Sequence, residues 1–235
     1  EALVVTDAYV TTITSGLGGG GVYRALKTAV DAPCEKVAEL GTWRERALTR
    51  IGNTVYAVGS NDMANATLIA IDVTGKSVKI ADLPKAIESM TTDGTSLYLS
   101  ESWTQRLLKI EVTPGSKPVE IGTAGSRLQF ASGRLFYLAT NQGVMNLPVT
   151  GGKTAVPVGG GGSGYGAFTI VNDTLYASYK WSVKGSTRLR KASLTTPGSK
   201  LADHGNESFD TVSGIAGDAR EIYVATMRTL VRVEP

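Results

Sequence analysis

The stretch "TDGTSLYLSESWTQRLLKIEV", residues 92 to 112, holds two short β-rich runs separated by a polar connection with a tryptophan at its tip. An Asp-Gly turn opens it, "SLYLS" reads as one strand, and "RLLKIEV" alternates as a second. The first half of this phrase recurs along the chain. "IGNTVYAV", "ASGRLFYL", "IVNDTLYA" and "DAREIYVA" each pair a turn-forming or polar lead-in with a β-rich run ending near a tyrosine. The tyrosines are Tyr56, Tyr98, Tyr137, Tyr176 and Tyr223, spaced by 42, 39, 39 and 47 residues. A period of about forty residues indicates a repeat architecture.

Within each period the tyrosine run is followed by an alternating strand, a Gly/Pro/Lys turn and a shorter apolar strand. The third strands are "TLIAIDV", "RLLKIEV", "GVMNLPV", "TRLRKASL" and "TLVRVEP", and the fourth are "SVKIADL", "PVEIGT", "TAVPVG" and "SKLADH". The N-terminal "ALVVTDAYVTTITS" aligns on "ALTRIGNTVYAVGS", which makes a sixth unit. A four-stranded meander cannot bury both faces alone and must stack on its neighbours, and four strands per forty residues without helical periodicity is the pattern of a β-propeller blade. The expected fold is therefore all-β, a single six-bladed propeller domain over 1–235. The blades are expected at about 1–40, 41–83, 84–123, 124–159, 160–204 and 205–235. A β-sandwich also has alternating strands but gives no reason for the fixed period. The last blade has only three strands before the chain stops, so its fourth strand is expected either from a segment ahead of Glu1 or not at all, leaving a short exposed edge.

Composition agrees with one packed domain: 42% hydrophobic residues, 19% charged, and 28 glycines for tight turns. The 24 basic and 21 acidic residues are interspersed, without the basic cluster that a phosphate backbone requires, so nucleic acid is not an expected partner. No apolar run reaches membrane-spanning length, and no segment resembles a signal peptide, so an exported protein would be represented here in its mature form. The lone Cys34 has no second cysteine and no nearby histidine, which leaves a plain thiol as its expected state.

The blade phrase, "SLYLS" then "LLKIEV" then "PVEIG", and again "GVMNLPVTGGKTAVPV", resembles the six-bladed propellers of bacterial envelope and secreted proteins, including those of the Tol-system periplasmic group. It lacks "YWTD" and the "WD" blade endings of other propeller groups. The resemblance implies an extracytoplasmic binding scaffold and leaves the activity open.

In a propeller, the segment leading into each innermost strand and the loop joining second to third strands share one face, where ligands are usually held. Trp103 and Trp181 each follow a repeat tyrosine by five residues, and Trp43 stands in a segment leading into an innermost strand, so all three tryptophans are expected on that face. Tryptophans there either brace loops or offer an apolar contact platform. The same shift aligns Arg46, Glu88, Arg127, Gly166 and Ser213 just ahead of the innermost strands. These charged side chains either pair with one another or form an arginine fork for an anionic group. The run "VGGGGSGYGAF", residues 158 to 168, brings Tyr165 to the same face in a glycine-rich loop that lacks P-loop spacing.

With His204 the only histidine, a histidine-rich metal centre is excluded, and the residue is expected in a rim turn without a catalytic role. The leading expectation is a non-enzymatic module binding a protein, peptide or glycan through Trp43, Arg46, Glu88, Trp103, Arg127, Tyr165 and Trp181, with no cofactor. The alternatives are a calcium-dependent hydrolase or lyase of the lactonase type, its ion held by oxygen donors drawn from Glu88, Asn61, Asp62, Glu101, Asn141 and Asp210, and a rigid part of a larger envelope assembly.

Overall fold

The computed structural model describes residues 2–14, 20–28, 33–41, 47–60, 62, 64–149, 154–158, 164–180, 186–196, 199–217, 220–226 and 229–235. These residues form strands and turns without a helix. They divide into six consecutive antiparallel meanders, five of four strands and a last one of three, which is the six-bladed β-propeller fold.

The chain splits into two compact units, Glu1–Ala124 and Gly125–Pro235. In the first unit, blade one comprises β1 (Ala2–Val5), β2 (Tyr9–Thr14), β3 (Gly20–Leu26) and β4 (Glu35–Leu40). Blade two is β5 (Ala47–Ile51), β6 (Thr54–Ser60), β7 (Ala66–Ile71) and β8 (Ser77–Leu83), and blade three is β9 (Ile87–Thr92), β10 (Ser96–Glu101), β11 (Arg106–Glu111) and β12 (Val119–Thr123). In the second unit, blade four is β13 (Ser126–Ala131), β14 (Arg134–Ala139), β15 (Gly143–Pro148) and β16 (Val156–Pro157). Blade five is β17 (Tyr165–Val171), β18 (Thr174–Lys180), β19 (Thr187–Ser193) and β20 (Ala202–Phe209), and blade six is β21 (Val212–Gly217), β22 (Ile222–Thr226) and β23 (Leu230–Val233).

The tyrosine runs of the repeat are the second strands. In blades two to five successive residues of these strands are buried, so both faces are covered: Leu97, Tyr98 and Leu99 are 0%, 2% and 0% exposed. In the first unit the cores lie between successive blades, with Ile13, Val22, Val55 and Ala57 closing blades one and two, and Val58, Leu68, Leu97 and Ile110 closing blades two and three. The second unit repeats this with Phe136, Phe168 and Leu175 between blades four and five, and Tyr176, Leu189, Ile215 and Val224 between blades five and six. Each such side chain contributes about 1.5–3 kcal/mol on burial, so the stacking supplies what a lone meander cannot.

Polar staples fix the stacking. The Arg24 side chain, 9% exposed, lies 4.3 Å over the Tyr9 ring, donates to Glu35 Oε2 at 2.9 Å, and reaches the turn after β7 to donate to Val73 O at 3.0 Å and Thr74 O at 3.1 Å. In the second unit Gln129 donates to Phe168 O at 2.9 Å and accepts from the Ile170 N–H at 3.1 Å, tying β13 to β17.

Two sequence expectations are corrected. The outermost strand of blade five runs to Phe209, past the expected boundary at 204, because a register shift between Arg188 and Arg190 lets β19 pair again with Ser208 and Phe209. His204 therefore lies inside a strand and not in a rim turn, with its ring edge-on to Tyr176 and its Nε2 2.7 Å from Glu234 O. The fourth strand of blade four is only two residues long, ending at Pro157, which has no N–H for a ladder.

Candidate functional site

Positions aligned from the sequence just ahead of the innermost strands are the sites of a recurring β-bulge. In blade three, Ser100 pairs with Ser89 and Glu101 with Ile87, so Glu88 is the extra residue. In blade four the bulge falls between Ser126 and Gln129, in blade five between Tyr165 and Phe168, and in blade six between Val212 and Gly214. Arg127, Gly166 and Ser213 occupy these bulges. A bulge bends the strand and re-aims its side chains, a device found beside binding sites.

Two of these bulges in the second unit border an open cleft of about 310 Å³. Its walls are Ser126 and Arg127 from the start of β13, Leu138 to Asn141 and Gly143 from the end of β14 and the turn that follows, and Gly164, Tyr165 and Gly166 from the start of β17. Local chemistry accounts for each wall. At Gly125 a β-carbon would lie 1.7 Å from Leu138 O, so only glycine allows the chain to enter β13 here. The turn after β14 closes with the Gln142 N–H donating to Ala139 O at 3.1 Å, with Asn141 at φ 62° and Gly143 at φ 83°. The β17 bulge is filled by the Ser178 hydroxyl, which accepts from the Ala167 N–H at 2.8 Å and donates to Ala167 O at 3.2 Å.

Arg127 is exposed and adopts φ 58°, a left-handed conformation that glycine reaches freely and arginine only at a cost of about 1–2 kcal/mol. Its guanidinium donates to Ser213 O at 3.4 Å, and no carboxylate among the described residues of 125–235 pairs with it. The half-buried Tyr165 ring tilts against Tyr179 with centroids 5.1 Å apart. The Arg190 guanidinium lies 4.0 Å over Tyr179 and bonds Asp203 at 2.9 Å, while Arg188 holds the other oxygen of Asp203 at 2.7 Å. Burial disfavours the Arg190 cation, but hydrogen bonds from Arg190 to Tyr165 and Asp203 outweigh it and raise its pKa. The Arg188 bond leads the effects that lower the Asp203 carboxyl. Tyr165 is thus held from behind by a chain of stacked and paired groups, leaving part of its ring to the cleft.

In the first unit, Trp103 stands at the tip between β10 and β11, 72% exposed and with φ 69°. A buried carboxylate organises this tip. Glu101, 0% exposed, accepts from Arg106 Nε at 2.7 Å and Nη2 at 2.8 Å, and from the Thr104 hydroxyl at 2.6 Å. The Ser102 N–H donates to Ala86 O at 2.9 Å, joining the tip to the segment leading into β9. Glu88 is exposed in that first strand. Trp43, Arg46 and Trp181 lie outside the described residues, as do residues 159–163 of the 158–168 glycine run, although Tyr165 onward is strand and not loop.

Of the oxygen donors considered for a cation, Asn61 lies outside the described residues. Both Glu101 oxygens are engaged by Arg106, and Asp62 Oδ1 caps the N–H groups of Ala64 and Asn65 at 2.7 and 2.8 Å. Among the described residues no three His, Cys, Asp or Glu side chains converge. Ser126, Thr140, Gly143 and Gly164 were not singled out by sequence reasoning, and Gly166 only as an aligned position; the bulge that gathers them has no signal beyond the blade alignment.

No family profile and no curated protein sequence matches the chain. Solved structures do. The hydrazine synthase of Kuenenia stuttgartiensis aligns over 99% of this chain and 75% of its own, with a TM-score of 0.70 at 11% identity. TolB of Acinetobacter baumannii aligns over 97% and 61%, with a TM-score of 0.66 at 10% identity, and a nidogen/laminin complex over 97% and 89%, with a TM-score of 0.62 at 10% identity. At such identities the likeness is one of fold, and it places the chain among β-propeller proteins.

Proposed function

We propose that this propeller is a non-enzymatic binding module that takes a protein, peptide or glycan segment in the cleft formed by the bulged starts of β13 and β17. The observation that carries the reading is the cleft itself: about 310 Å³, the lower end of the range for ligand sites, with a braced aromatic ring and an arginine held in a left-handed conformation. In the first unit the exposed Trp103 is a separate apolar contact surface of its own. The resemblance to TolB supports work outside the cytoplasm.

The test is a peptide and glycan array probed with the intact chain and with Arg127→Gln, Tyr165→Ala and Trp103→Ala variants, each checked for an unchanged thermal transition. Binding that falls at least about tenfold in Tyr165→Ala, the loss of roughly one good contact, supports the cleft. Binding unchanged in both cleft variants refutes it. A thermal transition raised by calcium and no longer raised after Glu88→Gln would instead favour the metal-dependent hydrolase.

A further inference from the structure

Resting on the cleft as the binding site, we infer that its ligand is an acidic peptide segment, with a side-chain or terminal carboxylate held by Arg127 and a neighbouring side chain laid on the Tyr165 ring.

The charge balance of the cleft points to an anion. Its described lining carries one formal charge, that of Arg127, and no carboxylate. The described carboxylates of this unit that carry strong partners are committed elsewhere: Asp203 to Arg188 and Arg190, Glu221 to Arg232 and Tyr223, Asp173 to Ser132. The Arg127 guanidinium spends one long bond, 3.4 Å, on Ser213 O, and no carboxylate among the described residues of 125–235 pairs with it. Two parallel N–H donors suit a carboxylate. The backbone geometry adds an independent reason. Of the four bulge residues Glu88, Arg127, Gly166 and Ser213, Arg127 alone stands at a left-handed φ, 58°, so a long cationic side chain is held where the backbone disfavours it. The bulge turns that side chain to the cleft rim.

The neutral groups argue for peptide over sugar. In the described lining Ser126, Thr140 and Asn141 offer uncharged side-chain hydrogen bonds, and the fourth such group, the Tyr165 hydroxyl, is engaged by Arg190. A saccharide would leave hydroxyls stripped of water without partners. A peptide needs one anionic contact and one apolar surface, and the cleft has both. Three of the lining residues are glycines, Gly143, Gly164 and Gly166, which let another main chain approach closely.

The test uses an immobilised array of peptides made as twins, each Asp or Glu sequence beside its Asn or Gln counterpart, and each acid C-terminus beside its amide. A uronic-acid glycan panel runs alongside. The intact chain is expected to favour the acidic member by about tenfold or more, the size of one charge-assisted hydrogen bond. That preference is expected to vanish in Arg127→Gln and to survive in part in Arg127→Lys. Twins differing at a side chain, set against those differing at the terminus, identify which carboxylate is read. Equal binding of twins, a preference that persists in Arg127→Gln, or capture of uronic-acid glycans in place of peptides overturns the inference. If twins bind equally but Tyr165→Ala still abolishes binding, the cleft stands and only the acidic ligand falls; if neither variant matters, the cleft falls too.

Discussion

Removing one hydroxyl from the repeat tyrosine of blade three tests how the blade's turn is held. Tyr98 donates to Asp93 Oδ2 at 2.9 Å, while Asp93 Oδ1 accepts from the Ser96 N–H at 2.7 Å, the Thr95 N–H at 2.8 Å and the Thr95 hydroxyl at 2.8 Å. Partial burial would push this carboxyl up, but the Ser96 and Thr95 N–H donors and the two hydroxyls outweigh it and hold it at about 2, against an ordinary 3.8. Burial and then the Asp93 bond raise the Tyr98 phenol. The sign is that of a depressed acid: the stabilisation is fully present above pH 3.8 and is lost as pH falls through about 2. The shift corresponds to about 2.5 kcal/mol in a dry site, and Asp93 is only partly buried, so roughly half of that is expected. Tyr98→Phe deletes one of four donors to a charged acceptor and is expected to cost about 1.5 kcal/mol at pH 7, which lowers the thermal midpoint by about 3–6 °C in a chain of this size. The cost shrinks at pH 2, where Asp93 is half protonated. Circular-dichroism melts at pH 7 and pH 2, with an Asp93→Asn, Tyr98→Phe cycle, read this directly. Equal destabilisation at both pH values, or additive single effects, refutes the reasoning.

Three further substitutions test the staples and the cleft walls. Arg24→Met keeps the stem over Tyr9 but removes the bonds to Val73 O and Thr74 O and the pair with Glu35, so a loss of about 2–3 kcal/mol is expected in urea unfolding. Gly125→Ala puts a methyl where Leu138 O stands and is expected to cost about 3 kcal/mol and to weaken peptide binding at the cleft as that wall moves, both readable by melts and fluorescence polarisation. Ser178→Ala strands the buried Ala167 N–H and is expected to cost about 1–3 kcal/mol, whereas Ser178→Thr keeps the oxygen and costs less.

Much of this fold was legible because a propeller repeats its physics. In blades two to five the tyrosine run marks a strand buried on both faces, so Tyr56, Tyr98, Tyr137 and Tyr176 recur where burial selects them. The same spacing brought Glu88, Arg127, Gly166 and Ser213 into line, and these are the bulge residues. Less was legible where tertiary context decides. The extension of β20 to Phe209 depends on a register shift against β19, which residue types such as Gly205 and Asn206 do not advertise. The convergence of Arg127 and Tyr165 needed the close approach at Gly125, invisible as one glycine among 28. The sequence did point to an aromatic and an arginine on one face, but gave no means to see that Arg127 and Tyr165 line one cleft in one compact unit.

The most direct test is amide hydrogen–deuterium exchange of the intact chain with and without the tightest-binding acidic peptide of the array. Slowed exchange at 138–143 and 164–167, with 96–111 unchanged or less affected, is the result expected of a ligand seated between the bulged strands. Protection confined to residues outside 125–143 and 164–167 at saturating peptide would contradict it.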